Sequence, residues 1–273
     1  MANIGIMGYG VVGQATGLGF KSKGHTLFYY DKFKETESLE SVAEKSDFIL
    51  LCLPTPYKDN KIDLSIIDET VELLSKVTDG TDKIVIIKST VIPGTTEGLG
   101  KKYPKTKFAF NPEFLTEANA NLDFLNPDRV VVGADAGEVG QRVVALYEKD
   151  FPEVPVFISD SKSAEMVKYM ANCLLATKVI FANEFFDLCQ QLGIDYPKVK
   201  EMVVADRRIG KSHLDITATF RGFGGKCFPK DMIAIMAVFK ELGVDDFLLE
   251  TVWQKNLKIR KEKDWEEIPF VKS

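Results

Sequence analysis

The residues best suited to chemistry stand together late in the chain, in Gly222-Phe223-Gly224-Gly225-Lys226-Cys227-Phe228-Pro229-Lys230-Asp231. A cysteine sits here between a glycine-rich run and a Phe-Pro-Lys-Asp tail. The thiolate is the nucleophilic form of cysteine, and a neighbouring cation such as Lys230 favours it over the thiol. Gly222, Gly224 and Gly225 allow backbone conformations and close approaches that side chains resist. Asp231 is a candidate acid, base or orienting group. A plainer alternative stands beside this one: a small buried cysteine after an ordinary loop. The choice depends on what the other elements bring to the cysteine.

The chain opens with a short apolar strand, Asn3–Met7, followed at once by Gly8-Tyr9-Gly10-Val11-Val12-Gly13. A helix is expected from Val11 to Lys23, stopped by Gly24, and a second strand over Thr26–Tyr30 ends in Asp31. This is a GxGxxG fingerprint in its required strand–turn–helix context. Gly8 serves the tight turn, Gly10 the approach of a pyrophosphate, and Gly13 the packing of helix on strand. The helix N-terminus supplies N–H groups for the phosphates. Asp31 falls where an acid bonds the ribose hydroxyls and repels a 2′-phosphate, so NAD is the expected cofactor. Lys32 and Lys34 pull the other way, towards a phosphorylated ribose.

Further strands are expected at Asp47–Leu53, Lys83–Ile87, Phe108–Phe110, Arg129–Gly133 and Val154–Ser159, with helices at Leu64–Val77 and Val139–Tyr147. Alternating strands and helices imply an α/β domain with a doubly wound, mainly parallel sheet of Rossmann type over residues 1–160. Ligands in such sheets bind beyond the carboxyl ends of the strands. Thr55, Thr90 and Glu113 follow strands and should gather at the cofactor. Plain turn or cap chemistry is the alternative for the threonines. Glu113 and Glu117, four apart, would share a helix face. They are either a solvated pair or general acid/base candidates.

From residue 161 the pattern becomes helical. Ala164–Gln191 holds no glycine or proline and reads as one long helix, capped by Ser161 or Ser163. Lys168 and Asn172 share a face of it, amid Met166, Val167, Tyr169, Met170, Ala171, Leu174 and Leu175. Helices are also expected at Tyr196–Ala205, Asp231–Leu242 and Asp246–Ile259. An all-helical domain over 161–260, built on the long helix, and a charged, loosely ordered tail over 261–273 complete the expected organisation.

Composition closes off several classes. The 273 residues are 45% hydrophobic and 27% charged, as in globular proteins, and the net charge of −5 gives no reason to expect nucleic acid as a partner. No apolar run reaches the ~18 residues of a membrane span. The N-terminus lacks the basic-then-apolar build of a signal peptide. Four scattered cysteines and two histidines suggest neither a disulfide framework nor a metal site. A cytoplasmic setting without a metal is the expectation.

Taken in order, Gly8–Gly13, Pro54-Thr55-Pro56, Ser89-Thr90-Val91, Asn111-Pro112-Glu113-Phe114-Leu115, Lys168 with Asn172, Arg208-Ile209-Gly210 and Gly222–Asp231 resemble the UDP-glucose/GDP-mannose dehydrogenase family over nearly the whole chain. The resemblance implies a four-electron, NAD-dependent oxidation of a sugar CH₂OH to a carboxylate. Cys227 matches the nucleophile that captures the aldehyde as a thiohemiacetal and then carries a thioester. Lys168 matches the stabiliser of the oxyanion, and Asp231 the acid that activates nucleophile or water. Glu117 matches a residue near the nicotinamide and the water. Glu113 and Thr90 position water or substrate, and Asn172 binds substrate and oxyanion. The same motifs imply cofactor contacts at Tyr9, Val11, Val12, Lys32 and Pro54. They imply substrate contacts at Phe114, Leu115, Phe223 and Gly224. Arg208 matches an arginine that reaches the neighbouring subunit's substrate, which implies a homodimer with the long helix as its seam.

The implied substrate is a nucleotide sugar, UDP-glucose first, with GDP-mannose or a UDP-N-acetylhexosamine as alternatives. Family members usually carry a third, C-terminal nucleotide-binding domain, which these residues do not include. Thr217-Ala218-Thr219-Phe220-Arg221 also replaces a stretch where Pro and Gly are common. Two rivals remain: a two-step hydroxy-acid dehydrogenase of the same architecture, and an NAD-binding scaffold without turnover.

Overall fold

The computed structural model describes residues 1–58 and 61–267. The chain divides into two compact units, one of Met1–Thr55 and Ile62–Lys168, the other of Pro56–Lys61 and Tyr169–Ser273.

In the first unit, seven strands form one sheet: β1 (Asn3–Met7), β2 (Thr26–Tyr30), β3 (Phe48–Leu51), β4 (Ile84–Ile87), β5 (Lys107–Phe110), β6 (Val130–Gly133) and β7 (Val156–Ser159). Their order is β2-β1-β3-β4-β5-β6-β7. Neighbours pair in parallel except β5 and β6, which are antiparallel at Phe110 and Gly133. The doubly wound sheet expected from the sequence is therefore the one that forms. Alternation divides the strands between two cores. Ile4, Ile6, Leu50, Ile84, Ile86 and Val132 face one way. Met7, Ile49, Leu51, Val85, Ile87 and Val131 face the other. The strand order turns back between β1 and β3, so the ligand crevice of such a sheet lies beyond the carboxyl ends of these two strands.

Helices α1 (Val11–Ser22), α2 (Leu39–Lys45), α3 (Ser65–Thr78), α4 (Thr95–Lys102), α5 (Ala120–Leu125) and α6 (Gly137–Asp150) cover this sheet. The long helix α7 runs Ser161–Leu192. Neither Ser161 nor Ser163 caps it. The carboxylate of Asp160 does, accepting from Ser163 N (2.8 Å) and Ser163 Oγ (2.6 Å), which lowers its pKa. Ser161 instead donates to Asp135 from N (3.0 Å) and Oγ (2.7 Å). An ionised aspartate is the stronger acceptor and suits a helix N-terminus. Glu165, fully buried, caps α4 in turn, accepting from Gly94 N (2.5 Å), Thr96 N (2.8 Å) and Thr96 Oγ1 (2.6 Å).

The second unit holds the rest of α7 with α8 (Tyr196–Val204), α9 (Phe228–Glu241) and α10 (Phe247–Ile259). α9 begins three residues before the expected Asp231, with Pro229 in its first turn, where a missing N–H costs nothing. The expected loose tail is corrected over its first part. Asp264–Glu267 forms a 3₁₀ turn, Trp265 is buried, and its ring lies 5.5 Å from that of Trp253. One large aromatic side chain supplies enough apolar area to order a charged segment. Residues 268–273 of the expected tail lie outside the described residues.

Candidate active site

The cofactor side is built on β1, α1 and β2. Gly8 has φ +91°, and a Cβ on Gly13 would stand 2.0 Å from Gly8 O, so both positions demand glycine. A Cβ on Gly10 would meet nothing within 4 Å, which leaves open space above the loop. Gly10 is the N-cap of α1; no side chain caps that helix and no acid stands in its first turn. The N–H groups there are unclaimed and suit a pyrophosphate. Asp31 lies at the same point, accepting from Tyr9 N (2.8 Å) and Phe33 N (2.9 Å). The Tyr9 ring stacks on Tyr29 at 4.1 Å. Lys34, not the exposed Lys32, reaches the loop, donating to Tyr9 O at 2.5 Å. Val11, Gln14 and Glu117 line an open cleft of about 350 Å³ beside α1. These features fit a dinucleotide.

The loops after β3 and β4 are stitched together. Thr55 Oγ1 donates to Thr90 O at 2.8 Å. Ser89 Oγ donates to Leu53 O (2.8 Å) and accepts from Leu53 N (2.8 Å). Thr55 and Thr90 thus meet, and Ser89, given no role from the sequence, fastens their loops. Pro54 is exposed beside them.

Glu113 is not on a helix. Asn111–Thr116 is irregular and Glu117 opens a 3₁₀ turn, so the two acids do not share a helix face. Pro112 disfavours helix at Asn111. Lys168, only 3% exposed, donates to Glu113 O (2.7 Å) and Glu113 Oε1 (2.8 Å). Leu115 N donates to Glu113 Oε2 at 2.7 Å. The guanidinium of Arg129 lies 4.1 Å from the Phe114 ring and the ammonium of Lys168 lies 5.7 Å from it.

Behind this turn is a residue to which the sequence reading gave no role. Lys88 is buried and donates to Asn111 Oδ1 at 2.7 Å. Tyr147 OH donates to the same oxygen at 2.6 Å, and Asn111 Nδ2 donates to Val131 O at 2.7 Å. Burial lowers the Lys88 pKa to about 8. A cation directly after an all-apolar strand was the available signal. Lys88, Asn111, Glu113, Phe114 and Arg129 line a cleft of about 230 Å³ within the first unit.

The thiol side belongs to the second unit. Of the four cysteines only Cys227 is exposed, and none forms a disulfide. Burial pushes the thiols of Cys52 and Cys173 up to about 12, which makes them poor nucleophiles at neutral pH. Cys227 is the N-cap of α9, where the helix dipole favours negative charge. One turn on, Asp231 is 1% exposed and donates N to Cys227 O at 2.9 Å. Its Oδ2 accepts from Asn172 Nδ2 at 2.5 Å. Lys230 Nζ lies 2.9 Å from Asp231 Oδ1, out of hydrogen-bond alignment. The cation expected to act on the thiol therefore pairs with the neighbouring carboxylate. Phe223 is buried, with N and O both bonded to Asn256. Arg208 is exposed and pairs with Asp206 at 2.6 Å.

Residues 26–150 match the profile of the UDP-glucose/GDP-mannose dehydrogenase family, NAD binding domain, and residues 162–258 that of the family's central domain. A solved UDP-glucose dehydrogenase from Pyrobaculum islandicum superposes with a TM-score of 0.86 at 30% identity, over 94% of this chain and 68% of that one. The chain belongs to the UDP-glucose/GDP-mannose dehydrogenase family. Within the family it is 34% identical to the UDP-glucose 6-dehydrogenase of Rickettsia bellii, over 85% of this chain and 51% of that protein. The TuaD protein of Bacillus subtilis, also a UDP-glucose 6-dehydrogenase, is 34% identical over 82% and 49%. The chain thus spans about half the length of the curated relatives it matches. A 3-hydroxyisobutyrate dehydrogenase from Mycobacterium tuberculosis shares the fold alone, with a TM-score of 0.74 at 15% identity. Among the described residues no helix is long and apolar enough to cross a membrane.

Proposed function

We propose that the chain oxidises a nucleotide-sugar CH₂OH to a carboxylate with two equivalents of NAD, UDP-glucose becoming UDP-glucuronate. The observation that carries this reading is the exposed Cys227 at the N-terminus of α9, backed one turn on by the buried Asp231–Asn172 pair. The relatives of known name support the substrate.

NAD, held at the Gly8–Gly13 loop and Asp31, supplies a hydride acceptor for each oxidation. The chain's own residues do the rest. The alcohol gives up a hydride and its proton to become an aldehyde. Cys227 Sγ bonds to the aldehyde carbon, giving a thiohemiacetal whose alkoxide Lys168 and Asn172 stabilise. Loss of a second hydride leaves a thioester. Water adds to it and the C–S bond breaks, which releases the carboxylate and restores the thiol. Asp231 takes the proton of nucleophile or water, and Glu117, Glu113 and Thr90 position that water and the sugar. Phe114 and Leu115 flank the reacting sugar, and Arg208 reaches the substrate of a second copy.

The homodimer rests on a further observation. Met170, Leu174, Phe181, Phe185, Leu188 and Leu192 are all exposed. At 3.6 residues per turn they fall within an arc of about 60° along α7. An apolar stripe of this length on a surface helix is the mark of an interface.

The test is NADH yield from the purified chain with NAD and, separately, UDP-glucose, GDP-mannose and a UDP-N-acetylhexosamine. Two NADH per UDP-glucose, abolished by Cys227→Ser, is expected. Turnover of a hydroxy acid, spared by Cys227→Ser, would establish the rival that the shared fold permits. NAD binding without turnover of any substrate would establish the scaffold.

A further inference from the structure

We propose that Arg260 and Asp264, in the segment after α10, form a clamp that positions the glycine turn in front of Cys227. The inference rests on reading Cys227 as the nucleophile and adds two positioning residues to it.

Gly225 has φ +74° and donates N to Asp264 Oδ2 at 3.0 Å. Arg260 Nη2 donates to the same oxygen at 2.9 Å. The pair lies directly against Gly224: a Cβ there would stand 2.3 Å from Asp264 Oδ1 and 2.5 Å from Arg260 Cζ and Nε. Arg260 also donates from Nε to Glu262 O at 3.0 Å, which holds the guanidinium in place.

Two neighbours show that the contact is built in. The buried Asn256, one turn before Arg260, grips Phe223 from both sides, accepting from N (2.8 Å) and donating to O (3.0 Å). The ring of Trp253 lies 6.1 Å from Phe223 and 5.5 Å from Trp265. The segment 260–265 is thus seated on the cysteine loop through a buried tryptophan and a charged pair. Arg260 keeps only 14% of its side chain exposed.

A turn of two glycines has more conformations to lose than any other pair. Without an anchor, the residues before Cys227 would sample many positions, and reactions lose rate steeply with misplacement. An acceptor on the Gly225 N–H and a guanidinium packed on the bare face of Gly224 remove that freedom.

The experiment compares the full chain with Asp264→Ala, Asp264→Asn and Arg260→Lys. The first readout is the rate of Cys227 alkylation by iodoacetamide as a function of pH, located by peptide mass. It needs neither substrate nor NAD, so it decides the clamp even where no nucleotide sugar is turned over. Loss of one charge-assisted hydrogen bond corresponds to about a tenfold change. Asp264→Ala is therefore expected to change the rate about tenfold or displace the profile's midpoint. Asp264→Asn, which keeps an acceptor for Gly225 N, should recover most of the difference. With UDP-glucose, Asp264→Ala should lower kcat while KM for NAD stays unchanged. A folded Asp264→Ala protein with the parent's alkylation profile would overturn the clamp. If that variant does not fold, the parent's alkylation profile in a folded Arg260→Lys protein would overturn it equally.

Discussion

Gly10 and Gly13 belong to one loop, yet the structure predicts opposite consequences for the same added methyl. At Gly13 the new Cβ would lie 2.0 Å from Gly8 O, a backbone atom that cannot step aside without moving β1 from α1. Overpacking of this kind costs ~1–3 kcal/mol. At ~2–4 °C per kcal/mol for a domain of this size, Gly13→Ala should lower the melting temperature by several degrees. At Gly10 the Cβ meets no protein atom within 4 Å, and φ −78°, ψ −160° is open to alanine. Gly10→Ala should therefore fall within ~0.5 kcal/mol of the parent. The methyl instead fills the space that a pyrophosphate would take at the unclaimed N-terminus of α1. NAD affinity should drop at least tenfold, or ~1.4 kcal/mol. Thermal unfolding followed by circular dichroism, with NAD titration by calorimetry, separates the two variants. Undiminished NAD binding by Gly10→Ala would refute the cofactor placement, and a normal melting temperature for Gly13→Ala would refute the packing argument.

Three other perturbations test the remaining structure. The Lys88 pKa of about 8 lies below the ordinary 10.5, so between these values the unfolded chain binds more protons and stability rises with pH. Urea unfolding at both ends of that window should show the parent gaining up to ~3 kcal/mol relative to Lys88→Met; parallel behaviour would sink the assignment. Lys168→Met strands the Glu113 carboxylate, whose side chain is 10% exposed. Breaking such a pair costs ~3–5 kcal/mol. The added change Glu113→Gln should restore much of this in thermal melts. Leu174→Glu with Phe185→Glu places two charges on the apolar stripe of α7. Sedimentation should then show a single-chain mass where the parent shows twice that.

The strands and the glycine loop were legible because their signals are local. Unbroken apolar runs assign β3 and β4 to a sheet buried on both faces, and the spacing of Gly8, Gly10 and Gly13 matches a turn in which Gly8 and Gly13 admit only glycine. The length of α7 was legible for the same reason, since nothing between Ser161 and Leu192 breaks a helix. Its cap was not, because Asp160 and the two serines are all acceptable caps and only the folded chain chooses among them. The helix expected through Glu113 failed on a long-range contact: Lys168, 55 residues away, holds both the carbonyl and the carboxylate of Glu113. Lys88 stands directly before Ser89-Thr90-Val91, yet its burial depends on α6 supplying Tyr147 and β6 supplying Val131 O. The segment after α10 looked too charged to order. What orders it is one tryptophan and a carboxylate on Gly225, neither visible until Trp253 and the cysteine loop are neighbours.

The central claim is a covalent role for Cys227, and rapid quenching tests it most directly. The chain would be mixed with NAD and UDP-glucose, stopped in acid at successive times, digested and mapped by mass. A substrate-derived acyl mass should appear on the Cys227 peptide, require NAD and be absent in Cys227→Ser. NADH formation with no adduct at any time, and undiminished turnover in Cys227→Ser, would contradict it.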